Sequence, residues 1–600
     1  MTTKFDAADT GAIKEMLAAY ASAIDSADID ALGEVYSDDW KSAKDISKTQ
    51  MLDHYKRSSG LNVLFNSAEL KFDDDGATIS PVSISSPKGT VTFRHTMRKE
   101  SDGAWRICHS ETIDWESIEM DGEQKARKAE FDEAAMAARE LREKILSDPA
   151  RPGYHFVMPE GIATPFDPNG AIYWKGRYHL FYIFQDRRSG KKKDHWGHVS
   201  STDLFHWRHH PTGLLDGMYS GNCFINGDGV PTICYHQVDQ GNAMAVALDD
   251  DLNEWQKLAS NPITPKTEEG DEHHGKYRSW DPFGWLEGDT YYAIFGGKHP
   301  AVAKAPALSG EWQYVGDLFA HGVDGVPLDE DVSCAELFKL GGKDVLLCIS
   351  HTLGCRYYIG EWKDEQFYPE VHRQMSWTDN MFFAPESLLD DQGRRIMWAW
   401  LMDYREFGIR WDRAWSGTMS LPRVLSLDED GEMLFDVPAE IEALRYDARS
   451  LSDIALQAGS DFVVDDLRGN SMELYIEMES ADATEFGVKV CVSPDGVEET
   501  IIAYDVAAGA LKIDAEKSGP DDAAKSVEAG PFELRDGERL QLRVFVDKSV
   551  IEVFANRRQA VVRRIYPAHE DSLGVSLFAT GGPVQVHTLE SWKISPSNPF

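Results

Sequence analysis

The chain has 600 residues, too many for one hydrophobic core, so two to four domains are expected. Its 61 Lys and Arg against 101 Asp and Glu leave a net charge of −40, which argues against nucleic acid or an anionic membrane as a partner. No run of 18 apolar residues offers a membrane span, and the opening "MTTKFDAADTGAIKEML" carries no apolar signal segment, so the expected location is cytoplasmic. Seven cysteines without metal-ligand spacing read as free thiols in a reducing compartment, and neither a metal nor a cofactor is expected.

From the N-terminus, "TGAIKEMLAAYASAI" places Ile13, Met16, Leu17 and Tyr20 on one helix face, and a second helix follows near "DIDALGEVYSDDW". Strand-like runs come next, among them "GTVTFRHTMRKE" and "AWRICHSETIDWE". Helices and then a curved sheet within about 117 residues resemble the nuclear-transport-factor-2-like (SnoaL-like) α+β cone. That resemblance implies a dimerisation or docking module over 1–117, with a homodimer through the N-terminal domain as one outcome, and His95, His109 and Asp114 as cone-lining residues. Residues 118–150 form a charged linker helix ending before Pro152.

A repeat follows. A turn glycine leading into an aromatic or aliphatic strand occurs at Gly176, Gly229, Gly288, Gly342 and Gly393. A spacing of 50-odd residues built from short strands predicts a five-bladed β-propeller over 151–437. Polar groups precede each glycine: Asp167; Ser220 and Asn222; Asp281; the "DVSCAE" stretch; and Glu386. In a propeller these positions border the central channel, so they are expected to converge. From 446 to 600 the alternation in "RLQLRVFVDKSVIEVFANRRQAVVRRIYP" predicts a β-sandwich. The fold class is therefore mostly β, with a small α+β domain in front.

Convergent carboxylates among aromatic residues (17 Trp in the chain) suit glycoside hydrolysis, which needs one carboxyl as acid and another as nucleophile or base. No nucleophile-elbow, phosphate-loop or HExxH pattern competes. The pieces "DPNGAIYWKGRYHLFY", "HWGHVSSTDLFHW", "YSGN", "WDPFGW", "FFAPESLLDDQGRRIMWAW" and "WSGTMSLPR" resemble, in that order, glycoside hydrolase family 32, the β-fructofuranosidases. The resemblance implies a retaining hydrolase of small fructosides such as sucrose, fructo-oligosaccharides or levan and inulin fragments. A fructosyltransferase, another furanosidase, or a catalytically silent carbohydrate-binding relative are the alternatives.

By the same resemblance Asp167 matches the nucleophile and Asp281 the transition-state stabiliser, while Asn169, Trp196, Tyr219, Ser220 and Trp400 fall among the sugar-binding positions. Four positions depart from the family pattern. Phe166 stands where Asn is usual, Trp280 where Arg is usual, Ile183 where Gln is usual, and Ser333 in the slot of the acid/base Glu. Side chains two apart share a strand face, so Arg278, Gln185 and Asp331 are the expected replacements for the last three. Glu336 and then Glu386 are the rival acids after Asp331.

Overall fold

The structure is a computed structural model; it describes residues 7–598 except 59, 66–67, 88, 118–121, 212–213, 266, 403–412 and 521–524. It divides into two compact units, Met1–Ala138 and Arg139–Phe600. The start of the predicted linker, 118–121, lies outside the described residues. The helix itself runs Gly122–Ser147 and contains the unit boundary.

In the first unit the helix Ala7–Asp25 buries Ile13, Leu17, Tyr20, Ala23 and Ile24, the spacing of one helical face. Asp28 caps Ile29–Val35 by accepting from the Ala31 amide, and Ser47 with Gln50 forms a capping box on Lys48–Lys56. Six strands complete the unit. The first, Tyr36–Ser42, pairs parallel with the last, Trp105–Ser117, and the others pair antiparallel. His95 is buried against the Ser110 hydroxyl, whereas Asp114 is exposed.

The second unit opens with five consecutive antiparallel sheets, whose first strands are Phe166–Trp174, Met218–Ile225, Phe283–Glu287, Ser333–Leu340 and Phe382–Leu389. The five predicted glycines each lie in the turn between the first and second strands, with φ between 58° and 84°. A Cβ there would meet nothing within 4 Å, so the requirement is the left-handed backbone and not space. This is why the repeat is visible as a glycine repeat.

The first strands touch in succession, and the fifth touches the first, closing a ring. Each junction carries a side chain that accepts from a backbone amide of the next sheet. Asn169 takes the Gly221 amide (3.0 Å) and Asn222 that of Gly284 (2.7 Å). Asp281 takes that of Cys334 (3.4 Å), Glu336 that of Ser387 (2.9 Å), and Glu386 that of Ala171 (2.8 Å). Buried amides are thereby satisfied without a continuous sheet.

The C-terminal part is two packed six-stranded sheets, from Arg445–Leu456 to Val584–Ile594, with the alternating apolar faces forming its core. A buried ionic chain ties it to the preceding sheets. Asp547 accepts from the amides of Gly153, Tyr154 and His155 (2.6, 2.8 and 2.7 Å), and the His155 ring lies between Asp547 and Glu552. Glu552 in turn accepts from the Leu421 amide and the Arg423 guanidinium. Burial works against a charged His155, but the two carboxylates outweigh it and hold the imidazole above its ordinary value.

Candidate active site

The ring's inner strands begin irregularly. Register shifts fall at Phe166/Pro168, Met218/Gly221, Ser333/Glu336 and Phe383/Glu386. Asp167, Asp281, Cys334 and Ala384 adopt φ of 42°, 28°, 47° and 49°, a backbone region that non-glycine residues occupy only where their surroundings enforce it. Bulges of this kind re-aim side chains at a sheet's end.

Asp167 is buried. Its Oδ2 accepts from the Ser220 hydroxyl (3.3 Å), while Oδ1 has no partner. Asp281 is also buried; its Oδ2 faces the Cys334 amide and its Oδ1 is unpartnered. Burial first, and then the charge of Asp281, push Asp167 up to about 8. Burial likewise lifts Asp281 to about 7, with the charge of Asp331 adding to it and Arg278 and His351 opposing. Two carboxyls that resist carrying charge together favour a cation developing between them.

Aromatic rings surround the pair. Phe166 packs on Tyr219 (5.8 Å between centroids) and on Trp400 (5.9 Å), and Tyr219 packs on Trp280 (5.4 Å). Trp400 has a buried indole N–H without a partner. The charges of Asp167 and Asp281 both act on the Tyr219 hydroxyl, whose pKa burial has already raised. Arg278 lies 3.8 Å over the Trp280 ring, so these two do present themselves side by side. Gln185 accepts from Arg187 and is half-buried at the end of its strand.

Several expectations from the sequence change here. Trp196 is wholly buried and donates to the Tyr219 carbonyl (3.0 Å); it supports the site through Tyr219 and does not line it. Asn169, expected to bind sugar, and Glu386, a rival acid, each commit an acceptor to the neighbouring sheet's backbone. Glu336, a candidate acid, accepts from both the amide and the hydroxyl of Ser387 (2.9 and 2.6 Å), so both its oxygens are engaged. Burial raises Glu336 and Glu386, and the charge of Glu336 adds to the rise at Glu386. Asp331 and Ser333 do lie together, joined by a 2.9 Å hydrogen bond, and the bulge between Ser333 and Glu336 changes the facing of Glu336 instead.

Asp331 lies beside the site. It accepts from the Ser333 hydroxyl (2.9 Å) and from Nδ1 and the backbone amide of His351 (2.6 and 3.3 Å). Burial alone would raise its carboxyl, yet these hydrogen bonds hold it below the ordinary value. His351 was not singled out from sequence. The signal was available in the hairpin register: Ser333 pairs with Ile349, which sets Asp331 against His351 two residues further out.

Residues 155–438 match the family model "Glycosyl hydrolases family 32 N-terminal domain" and residues 440–593 match "Glycosyl hydrolases family 32 C terminal". Sucrose-6-phosphate hydrolase of Zymomonas mobilis subsp. mobilis is 26% identical over 508 residues, covering 77% of this chain and 96% of that protein. Levanase of Bacillus subtilis is 27% identical over 496 residues, covering 73% of this chain and 69% of that protein. Fructan 1-exohydrolase IIa from Cichorium intybus shares the fold, with a TM-score of 0.67 at 21% identity over 75% of this chain and 98% of that one. Two adjoining domain matches, running from the segment anchored by Asp547 to the last sandwich strand, place the chain in glycosyl hydrolases family 32, and it is a glycosidase.

Proposed function

We propose that this glycosidase hydrolyses small β-fructofuranosides with retention, Asp167 attacking the anomeric carbon and Asp281 holding the sugar as positive charge develops. The observation that carries the reading is a set of buried polar atoms without a partner among the described residues: Asp167 Oδ1 and Asp281 Oδ1 at the heads of inner strands, and Nε1 of Trp400, whose ring packs on Phe166. Buried polar groups are rarely left unpaired, and a furanose supplies both the hydroxyls and the electrophile that would engage them. Ser220 orients the attacking carboxylate through its hydrogen bond. Tyr219, Trp280 and Phe166 supply apolar faces for the ring, and Arg278 and Gln185 stand at its edge. The similarity to sucrose-6-phosphate hydrolase and levanase supports fructosyl substrates.

Incubation with sucrose, 1-kestose, inulin and levan, with the released monosaccharide identified by chromatography, is expected to show fructose from at least one short substrate. Release of a different monosaccharide, or a transfer product in place of free fructose, would overturn the hydrolase reading. Binding without turnover would assign a silent carbohydrate-binding role instead.

The five ringed sheets are read as the blades of a five-bladed propeller, 151–437, followed by the sandwich, 446–600. The parallel pairing of Tyr36–Ser42 with Trp105–Ser117, behind three helices, supports the cone reading for 1–117. A cytoplasmic location is supported by all seven cysteines being free. The cone is proposed to join two copies of the chain. Deleting 1–117 is then expected to turn a dimer into a monomer by light scattering while fructose release survives, and a truncated protein that still measures as a dimer would refute the dimer role.

A further inference from the structure

The family's acid/base position is occupied by Ser333, which cannot protonate a leaving oxygen. The neighbouring groups nevertheless form an ordered proton-bearing unit. We propose that His351 is the acid/base of this site and Asp331 its positioning residue, an inference that rests on the fructoside reading above. Asp331 grips His351 through both Nδ1 and the backbone amide, and the Ser333 hydroxyl fixes the other carboxylate oxygen. Holding Nδ1 in this way sets the ring's orientation and leaves Nε2 for the substrate.

A relay of ring contacts leads from His351 towards Asp167. The imidazole edge meets Phe383 at 5.6 Å, and Phe383 meets Trp400 at 6.0 Å. Trp400 meets Phe166, the residue before Asp167. The charge on His351 acts on both Asp167 and Asp281, which lie on the first and third sheets. The imidazole is 67% exposed on its side chain, so a leaving sugar can reach it.

Electrostatics favour the same division of labour. The Asp331 hydrogen bond first, against some burial, and then the charges of Asp331, Asp281 and Asp167 raise His351 above its ordinary value. Among the described residues the other charged groups near it are Glu330, which accepts from Ser350 and Thr352 on either side of His351, and Arg356, 3.8 Å from Glu330. A proton held on imidazole near neutral pH is the condition for general acid catalysis.

The Nε2 proton passes to the glycosidic oxygen as its bond to the anomeric carbon breaks and a bond from Asp167 Oδ1 forms. The neutral Nε2 then takes a proton from water, whose oxygen attacks that carbon and displaces Asp167. His351 is again protonated and Asp167 again charged.

Kinetics on sucrose and on 4-nitrophenyl β-D-fructofuranoside, whose leaving group needs no proton, test this. For His351→Ala, kcat on sucrose is expected to fall about 10³-fold, while kcat on the aryl substrate falls less than about tenfold and added imidazole restores part of the sucrose rate. Asp331→Asn should move the alkaline limb of the sucrose pH–kcat/KM profile to lower pH, because the partner that raises His351 is lost. Equal loss on both substrates, an unmoved limb, or the same split shown by Glu336→Gln in place of His351→Ala would overturn the proposal. A wild-type protein that turns over neither substrate overturns the fructoside reading itself, which is a different result from any of these.

Discussion

Asp167→Asn is expected to lower turnover by on the order of 10⁴-fold or more, since an amide cannot form the covalent intermediate. The same variant should be the more stable protein at alkaline pH. The native carboxyl titrates at about 8, against roughly 3.9 in an unfolded chain, so the native state binds this proton more tightly. The stability it contributes is complete below about pH 4 and is lost as pH rises through the folded value. Asn carries no charge to desolvate. The melting temperatures of wild type and variant should therefore nearly coincide at about pH 4 and separate in favour of the variant by pH 8, a gap of about a few kcal/mol. Near wild-type turnover would remove Asp167 from the nucleophile role. A pH-independent gap would show instead that the site does not strain against its own charge.

The second large effect is structural. Asp547→Ala should cost about 3–5 kcal/mol, because it strips a buried histidine of one partner and leaves three consecutive amides unsatisfied. Asp547→Asn, which keeps an acceptor, should fall between wild type and Ala. Urea midpoints measured at one pH give the order directly. An Ala variant within about 1 kcal/mol of wild type would mean that solvent or a rearranged backbone replaces the carboxylate.

The architecture was legible because its local requirement is written in one residue type. A hairpin turn with positive φ selects glycine, and five such turns at near-equal spacing announce five sheets. Asp167 and Asp281 were legible for a related reason, each sitting in a turn sequence at the head of an inner strand. The facing of Glu336 was not, because strand alternation is the only sequence rule for facing, and bulges suspend it at the heads of the inner strands. Asn169, Glu336 and Glu386 show a second limit. A buried polar residue at the start of an inner strand looks the same in sequence whether it meets a sugar or a backbone amide. The link from Asp547 to residues 153–155 spans almost 400 positions and leaves no local trace.

In the ring of inner strands, every junction is closed by a side chain that grips main chain, joined at Glu336 by the Ser387 hydroxyl. At Gly221 and Gly284 an added Cβ would come within 2.1 and 2.8 Å of Cys234, so space fixes the held residue there. At Ala171 the clasp takes only the amide, so the closure does not itself dictate the side chain. None of the five clasps uses the side chain of Ser333, so the frame closes whatever chemistry stands at the head of the fourth inner strand.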